Sequence, residues 1–213
     1  VFNQAEFLKD FNVYDSDPSL KRVIDATITY DYNINNNNDN GNSHKIEATN
    51  ILMNFGKNAG NEKYLNFANN ANADKNKPIL KQFDSHGRRI DVVDYVSDYH
   101  YLMKHSLESG CAGLGYNKQK ELTNSSHIIR AGLIYMANQL EPGHCCPVVM
   151  TAAAIPVLDN IDRSLSSSSW NNDDLITKLI TPGYDHRDVP ISEKKAITMG
   201  MSMTEKQGGS DVR

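Results

Sequence analysis

The sequence predicts a mainly α-helical domain that is followed by the first strand of a second, β-rich unit. Apolar residues recur at three- and four-residue spacing through much of 91–186, which is the period of an amphipathic helix. Near the end of the chain, every second residue from Ile197 to Met203 is apolar, which is the period of a strand. The composition, 39% hydrophobic and 23% charged, is that of a chain able to bury a core.

Residues 1–45 are predicted to form an N-terminal arm and an Asn-rich loop. The arm carries two short apolar clusters separated by "YDSDPS" and is expected to pack on something else. The stretch "DYNINNNNDNGNSHK", Asp31–Lys45, has almost no residues that form a core. Such segments lack the apolar surface that would offset the entropy of ordering, so a disordered surface loop is expected there.

The helical domain is predicted over 46–194. A tight turn at "FDSHGRRID" contains Gly87, and a helix is expected to run from Asp91, as its cap, to Gly110. Three more helices are predicted at "NSSHIIRAGLIYMANQL", "CPVVMTAAAIPVLDN" and "NNDDLITKLI". The second of these three is apolar nearly all round and is expected to be buried. No sheet is expected between residues 91 and 186.

Charge and cysteine content exclude several classes of function. Lys and Arg number 22 against 26 Asp and Glu, so the chain has no electrostatic footprint for nucleic acid. Three cysteines, two of them adjacent, make a poor disulfide framework and indicate an intracellular, reducing compartment. No apolar run approaches the ~20 residues that span a bilayer. The N-terminus has neither a Met nor a secretory or transit pattern, and the C-terminus follows a turn-forming Gly-Gly-Ser-Asp with no closing element. We therefore expect both to be fragment ends.

Two segments carry candidate chemistry. The loop "TEKQGGSD" exposes backbone N–H groups and hydroxyls that suit a phosphate or the edge of a flavin, although a plain hairpin turn has the same composition. Cys145 and Cys146 open a helix, where a thiol can become reactive, but such cysteines are more often packed. The histidines have no consistent partner at metal-ligand spacing, so no metal site is predicted.

The segment "MGMSMTEKQGGSDV" resembles the flavin-binding strand and loop of the acyl-CoA dehydrogenase superfamily, whose usual form is Thr-Glu-Pro-x-x-Gly-Ser-Asp. Lys206 in place of the proline is similar to the AidB branch of that superfamily. "VFNQ", "DSHGRRIDVVDY" and "CPVVMTAAAIP" also resemble this branch and occur in the same order, so the resemblance covers most of the chain.

This resemblance implies the helical N-terminal domain of the acyl-CoA dehydrogenase fold, with residues 195–213 starting its β-barrel-like, flavin-binding middle domain. It implies FAD as cofactor and a homotetramer. By position in the motif, the residues expected to contact FAD are Met201, Ser202, Met203, Thr204, Gly208, Gly209 and Ser210. Ser210 is also expected to touch the acyl-CoA.

The implied reaction is α,β-dehydrogenation of an acyl-CoA thioester, in which a carboxylate takes the α proton and the flavin accepts a hydride. The base is expected beyond Arg213, so residues 1–213 by themselves are expected to be inactive. Cys146, Met150 and Thr151 could line the acyl pocket or belong to the core. The alternative is an AidB-like flavoprotein that acts mainly by binding, either nucleic acid through the missing C-terminal part or long-chain acyl-CoA as a sensor.

Overall fold

The computed structural model describes residues 2–35, 41–117, 125–161 and 172–202. In these ranges the fold is mainly helical, as predicted, with one small antiparallel sheet. The helices are α1 (Pro18–Asn35), α2 (Gly41–Ala59), α3 (Glu62–Ala71), α4 (Ser97–Glu108), α5 (Ser125–Leu140), α6 (Cys145–Asp159) and α7 (Asn172–Ile180). The strands are β1 (Ile79–Phe83) and β2 (Arg89–Asp94).

Helix α5 lies at the centre of the core and contacts α1, α2, α3, α4 and α6. Its inward residues Ile129, Leu133 and Met136 are fully buried. At Gly132 a Cβ atom would lie 3.0 Å from Leu52 of α2 and 3.3 Å from Ile24 of α1. The missing side chain therefore allows three helices to meet closely at this point.

The expectation that residues 91–186 contain no sheet is wrong, because β2 includes residues 91–94. Helix α4 begins at Ser97, six residues after the predicted cap at Asp91, and Asp91 lies in β2 with φ 47°. The predicted turn is present: Gly87, with φ 76°, lies in the connection between β1 and β2. The apolar residues of β2 happen to continue the helical spacing of α4, and for this reason the helix was predicted to start too early.

The expectations for the arm and the Asn-rich loop within residues 1–45 also need correction. Val13 and Tyr14 belong to the core of this chain, so this part of the arm is packed within the domain, whereas Phe2 and Phe7 are exposed. The Asn-rich stretch lies largely in helix, since α1 continues to Asn35 and α2 starts at Gly41. Residues 36–40 lie outside the described residues. The division of the chain at 45 and 194 stays a prediction.

The segment 195–202 contains no helix, in agreement with its predicted period, and no paired strand among the described residues. Whether it forms the first strand of a further sheet stays a prediction. Within the described ranges, no helix combines the length and the apolar character needed to cross a membrane.

Candidate functional site

The candidate site begins where the segment 195–202 meets α6. The backbone N–H of Met199 donates to Oγ1 of Thr151 at 3.1 Å, and this hydroxyl donates to the carbonyl of Pro147 at 2.7 Å. Thr151 is fully buried. It therefore fixes the segment that carries the predicted flavin residues to the helix that carries the predicted acyl-pocket residues.

A second hydrogen bond holds the segment two residues earlier in the chain, at Ile197. The N–H of Ile197 donates to the carbonyl of Lys178 in α7 at 3.3 Å, and Ala196 is 4% exposed. A Cβ atom on Gly183 would lie 3.3 Å from that of Ala196. Segment 195–202 is thus held at both α6 and α7 before it reaches Met201.

The first turn of α6 is set by a buried polar network. Glu141 accepts hydrogen bonds from the N–H groups of Gly143 and His144, from Asn72 and from Nδ1 of His144, at 2.7 to 3.2 Å. Nε2 of His144 lies 2.7 Å from Oγ of Ser106 in α4. A carboxylate before a helix N-terminus also interacts favourably with the helix dipole.

These hydrogen bonds determine the ionisation of Glu141. Burial alone would raise its pKa, but the bonds from the His144 ring, the backbone N–H groups and Asn72 outweigh it and hold the pKa at about 2. The carboxylate is 3% exposed and its partners surround it, so Glu141 is a structural anion and not a base for a substrate. No partner of His144 was predicted from the sequence; the clue was Glu141, which lies three residues before it and is separated from it by Pro142-Gly143.

The two adjacent cysteines have different environments. Cys145 is buried, and burial together with nearby Glu141 raises the pKa of its thiol to about 12, so the packed interpretation is correct for this residue. Cys146 is exposed. Among the residues described, no group of three or more His, Cys, Asp or Glu side chains could hold a metal ion.

The expectation that α6 is buried all round is wrong. Residues of one face are buried, whereas the face that contains Cys146, Val149 and Val157 is exposed. Met150, at the edge of this face, is half-buried. The predicted acyl-pocket residues therefore divide into exposed Cys146, intermediate Met150 and buried Thr151.

The predicted flavin residues are described only in part. Met201 is 58% exposed and Ser202 is exposed, beyond the anchor at Met199. The others lie outside the described residues, and their roles stay predictions: Met203, Thr204, Gly208, Gly209 and Ser210.

Comparison with known proteins gives consistent matches. The model of the adaptive response protein AidB N-terminal domain matches residues 3–186. AidB of Escherichia coli strain K12 is 30% identical over 213 residues, which cover the whole chain and 34% of AidB. Acyl-CoA dehydrogenase family member 11 of Caenorhabditis elegans is 27% identical over 143 residues, 66% of the chain and 21% of that protein.

Two solved structures share the fold. Caenorhabditis elegans ACDH-11, solved in complex with C11-CoA, gives a TM-score of 0.72 at 22% identity and covers all of the chain and 31% of its own. The apo form of Bd2924 gives a TM-score of 0.71 at 23% identity, over 98% of the chain and 35% of its own. The chain spans about a third of the length of AidB.

Proposed function

Since the chain belongs to the family of AidB N-terminal domains, within the acyl-CoA dehydrogenases, we propose that it is part of an FAD-dependent oxidoreductase that dehydrogenates acyl-CoA thioesters. The observation that carries this proposal is the hydrogen bond from Met199 to Thr151. It holds the segment expected to contact flavin against a helix with an exposed apolar face.

The described residues fit a flavin at this position. Met201 and Ser202 are exposed and present a thioether and a hydroxyl beyond the anchored residue Met199. A flat heterocycle with a polar edge matches this pair of groups. Bound there, the flavin would accept the hydride that leaves the β carbon of the substrate.

The chain's own contribution in this region is to hold the cofactor segment in place through Thr151 and to offer an apolar surface. The exposed face of α6 consists of apolar side chains, including Cys146, Val149 and Val157. An acyl chain could lie against this face. The relative ACDH-11 was solved with C11-CoA, which favours an acyl-CoA as ligand here too. The resemblance implies that the base lies beyond Arg213, and Glu141, which is buried and engaged in hydrogen bonds, is not proposed for that role.

The homotetramer and the reducing intracellular compartment are parts of the same proposal. Cys111 and Cys145 are both buried as free thiols, which favours a compartment that keeps thiols reduced.

The experiment is an anaerobic titration of the full-length, FAD-loaded protein with acyl-CoA thioesters of increasing chain length. Bleaching of the flavin absorbance by a saturated acyl-CoA, with formation of the enoyl product, would support a dehydrogenase. Acyl-CoA binding without bleaching would favour the alternative, a flavoprotein that acts as an acyl-CoA sensor. Absence of both binding and bleaching would contradict the proposal.

The predicted cofactor contacts are tested in the same protein. Thr204→Ala and Ser210→Ala should each weaken FAD binding about ten- to a hundred-fold, the cost of one hydrogen bond to a buried ligand. Thr204→Ser, which keeps the hydroxyl, is the matched control. Unchanged FAD affinity in both alanine variants would remove these residues from the cofactor site.

A further inference from the structure

The chain that follows α7 closes on itself before it continues into the segment 195–202. The side chain of Lys194 donates to the carbonyl of Asp185 at 3.0 Å, and the N–H of Lys195 donates to Oδ2 of Asp185 at 3.3 Å. The two lysines therefore lie beside residues 184–185, and we call these four residues the neck. The segment that is expected to contact flavin begins in this neck.

The neck is attached to helix α4 by one hydrogen bond. The hydroxyl of Tyr184 and Nδ1 of His100 lie 2.7 Å apart. Tyr184 is half-buried and packs against the core, and this burial raises the pKa of its hydroxyl, which therefore keeps its proton and can donate. Burial and then the imidazole of His186, whose ring centre is 4.7 Å away, lower the pKa of His100. The ring of His100 is therefore neutral at physiological pH, and its Nδ1 can accept.

Helix α4 holds the neck and α6 in one frame. His100 bonds to the neck, and Ser106, six residues later in the same helix, lies 2.7 Å from Nε2 of His144, which precedes α6. The two positions are about 9 Å apart along the helix axis. Leu102 between them is fully buried, so α4 cannot shift without disturbing the core. The bond between Tyr184 and His100 thus fixes where the cofactor segment begins relative to α6.

Packing alone does not hold the neck in place. A cavity of about 480 Å³ lies beside it, lined in part by Tyr184, Asp185, Lys195 and, from α4, Glu108. The neck has room to move towards this cavity. In the described residues the segment 195–202 forms neither a helix nor a paired strand, so a few individual hydrogen bonds determine its position.

We propose that Tyr184 and His100 are positioning residues for the cofactor segment, because their hydrogen bond fixes the neck to α4 and, through the neck, the start of the segment 195–202. The consequence for FAD rests on the proposed function. The attachment of the segment does not, and it can be measured without the cofactor.

The first measurement is hydrogen exchange of the 213-residue chain. Tyr184→Phe removes the hydroxyl and keeps the ring, so the amides of residues 195–199 should exchange about fivefold faster than in the wild type. The amides of α5 should be unchanged. Tyr95→Phe is the matched control: the Tyr95 ring also contacts that of His100, edge to face at 6.1 Å, but its hydroxyl has no hydrogen bond among the described residues.

Three results of this measurement would overturn the proposal. The first is unchanged exchange of residues 195–199 in Tyr184→Phe. The second is an equal increase in Tyr95→Phe. The third is an equal increase throughout α5, which would mean that Tyr184 contributes only to the general stability of the domain.

The second measurement is the FAD affinity of the full-length protein. Tyr184→Phe and His100→Leu should each weaken FAD binding about fivefold, and the double variant should bind no more weakly than either, since both changes remove the same bond. His100→Asn places an amide oxygen near the position of Nδ1 and should bind FAD like the wild type. At saturating FAD, the visible circular dichroism of the bound flavin should change in Tyr184→Phe and not in Tyr95→Phe.

Unchanged FAD affinity in Tyr184→Phe would overturn the positioning role even if residues 195–199 exchange faster. Additive losses in the double variant, or a loss in His100→Asn equal to that in His100→Leu, would overturn the assignment to this hydrogen bond. A full-length wild type that binds no FAD would contradict the proposed function instead, and hydrogen exchange would still decide whether the bond fixes the segment.

Discussion

The two faces of α6 are built from similar residues and lie in opposite environments. Val148 is fully buried, and its neighbour Val149 is 45% exposed. The buried face packs into the core and, through Thr151, holds the segment 195–202. The exposed face has no such partner in the described residues. The difference shows that burial in the described part of the domain explains the apolar character of only one of the two faces.

The largest expected effect lies on the buried side, where α6 begins. Glu141→Ala removes the acceptor of the His144 ring, two backbone N–H groups and Asn72. The unpaired buried donors should lower the free energy of unfolding by about 3 kcal/mol. Urea denaturation monitors the change. Glu141→Gln, which keeps one acceptor oxygen, should lower the free energy of unfolding by less. An equal loss in the two variants would mean that hydrogen bonds to Glu141 are not the cause of the loss in Glu141→Ala.

The lowered pKa of Glu141 predicts that the free energy of unfolding depends on pH. The pKa of Glu141 is about 2 in the folded chain and 4.5 for an unperturbed glutamate, so its ionised form stabilises the fold. This contribution, about 3 kcal/mol, is complete above the unfolded pKa and is lost as the pH falls towards 2. Unfolding free energies measured between pH 7 and 3 should fall more steeply for the wild type than for Glu141→Gln. Parallel curves would contradict the assignment.

A matched pair of substitutions tests the comparison itself. Val148→Ala leaves a cavity in the core and should cost about 2 kcal/mol of unfolding free energy, whereas Val149→Ala on the exposed face should change it by less than about 0.5 kcal/mol. Denaturation of both variants under the same conditions gives the answer. Similar losses would show that both faces are buried.

Helix α6 shows how far the sequence predicts the fold. Its apolar run predicts a helix over 146–160, and the observed helix, Cys145–Asp159, agrees to within one residue at each end. Which face stays uncovered could not be predicted, because periodicity cannot separate two faces when both are apolar. The contact of His144 with Ser106 could not be predicted either, since Ser106 lies on another helix and meets the ring only in the folded chain.

The hairpin was missed for a related physical reason. Its strands bury neither face in this domain, so they lack the clean alternation that a half-buried strand shows. The turn at Gly87 was the usable clue. The helices on either side of residues 36–40 were missed because Asn-rich composition predicts a loop, whereas buried Ile28 and Leu52 anchor α1 and α2 in the core, and tertiary packing overrides propensity.

A smaller effect is expected at the junction between the two regions. Thr151→Val removes the acceptor of the Met199 N–H with little change in shape. The segment 195–202 should then be held less well, and FAD affinity of the full-length protein should fall about fivefold, the value of one hydrogen bond. Thr151→Ser keeps the hydroxyl and should bind FAD like the wild type. FAD titration that finds Thr151→Val unchanged would mean that this bond does not position the cofactor segment.

The most direct test of the exposed face is the affinity of the full-length protein for a long-chain acyl-CoA after Cys146→Asp. Cys146 is exposed in the first turn of α6, where an aspartate is favourable to the helix, so the fold should be preserved. If an acyl chain lies on this face, a carboxylate there should weaken acyl-CoA binding at least about tenfold while FAD content stays unchanged. Acyl-CoA binding equal to that of the wild type would contradict the assignment of this face to the substrate.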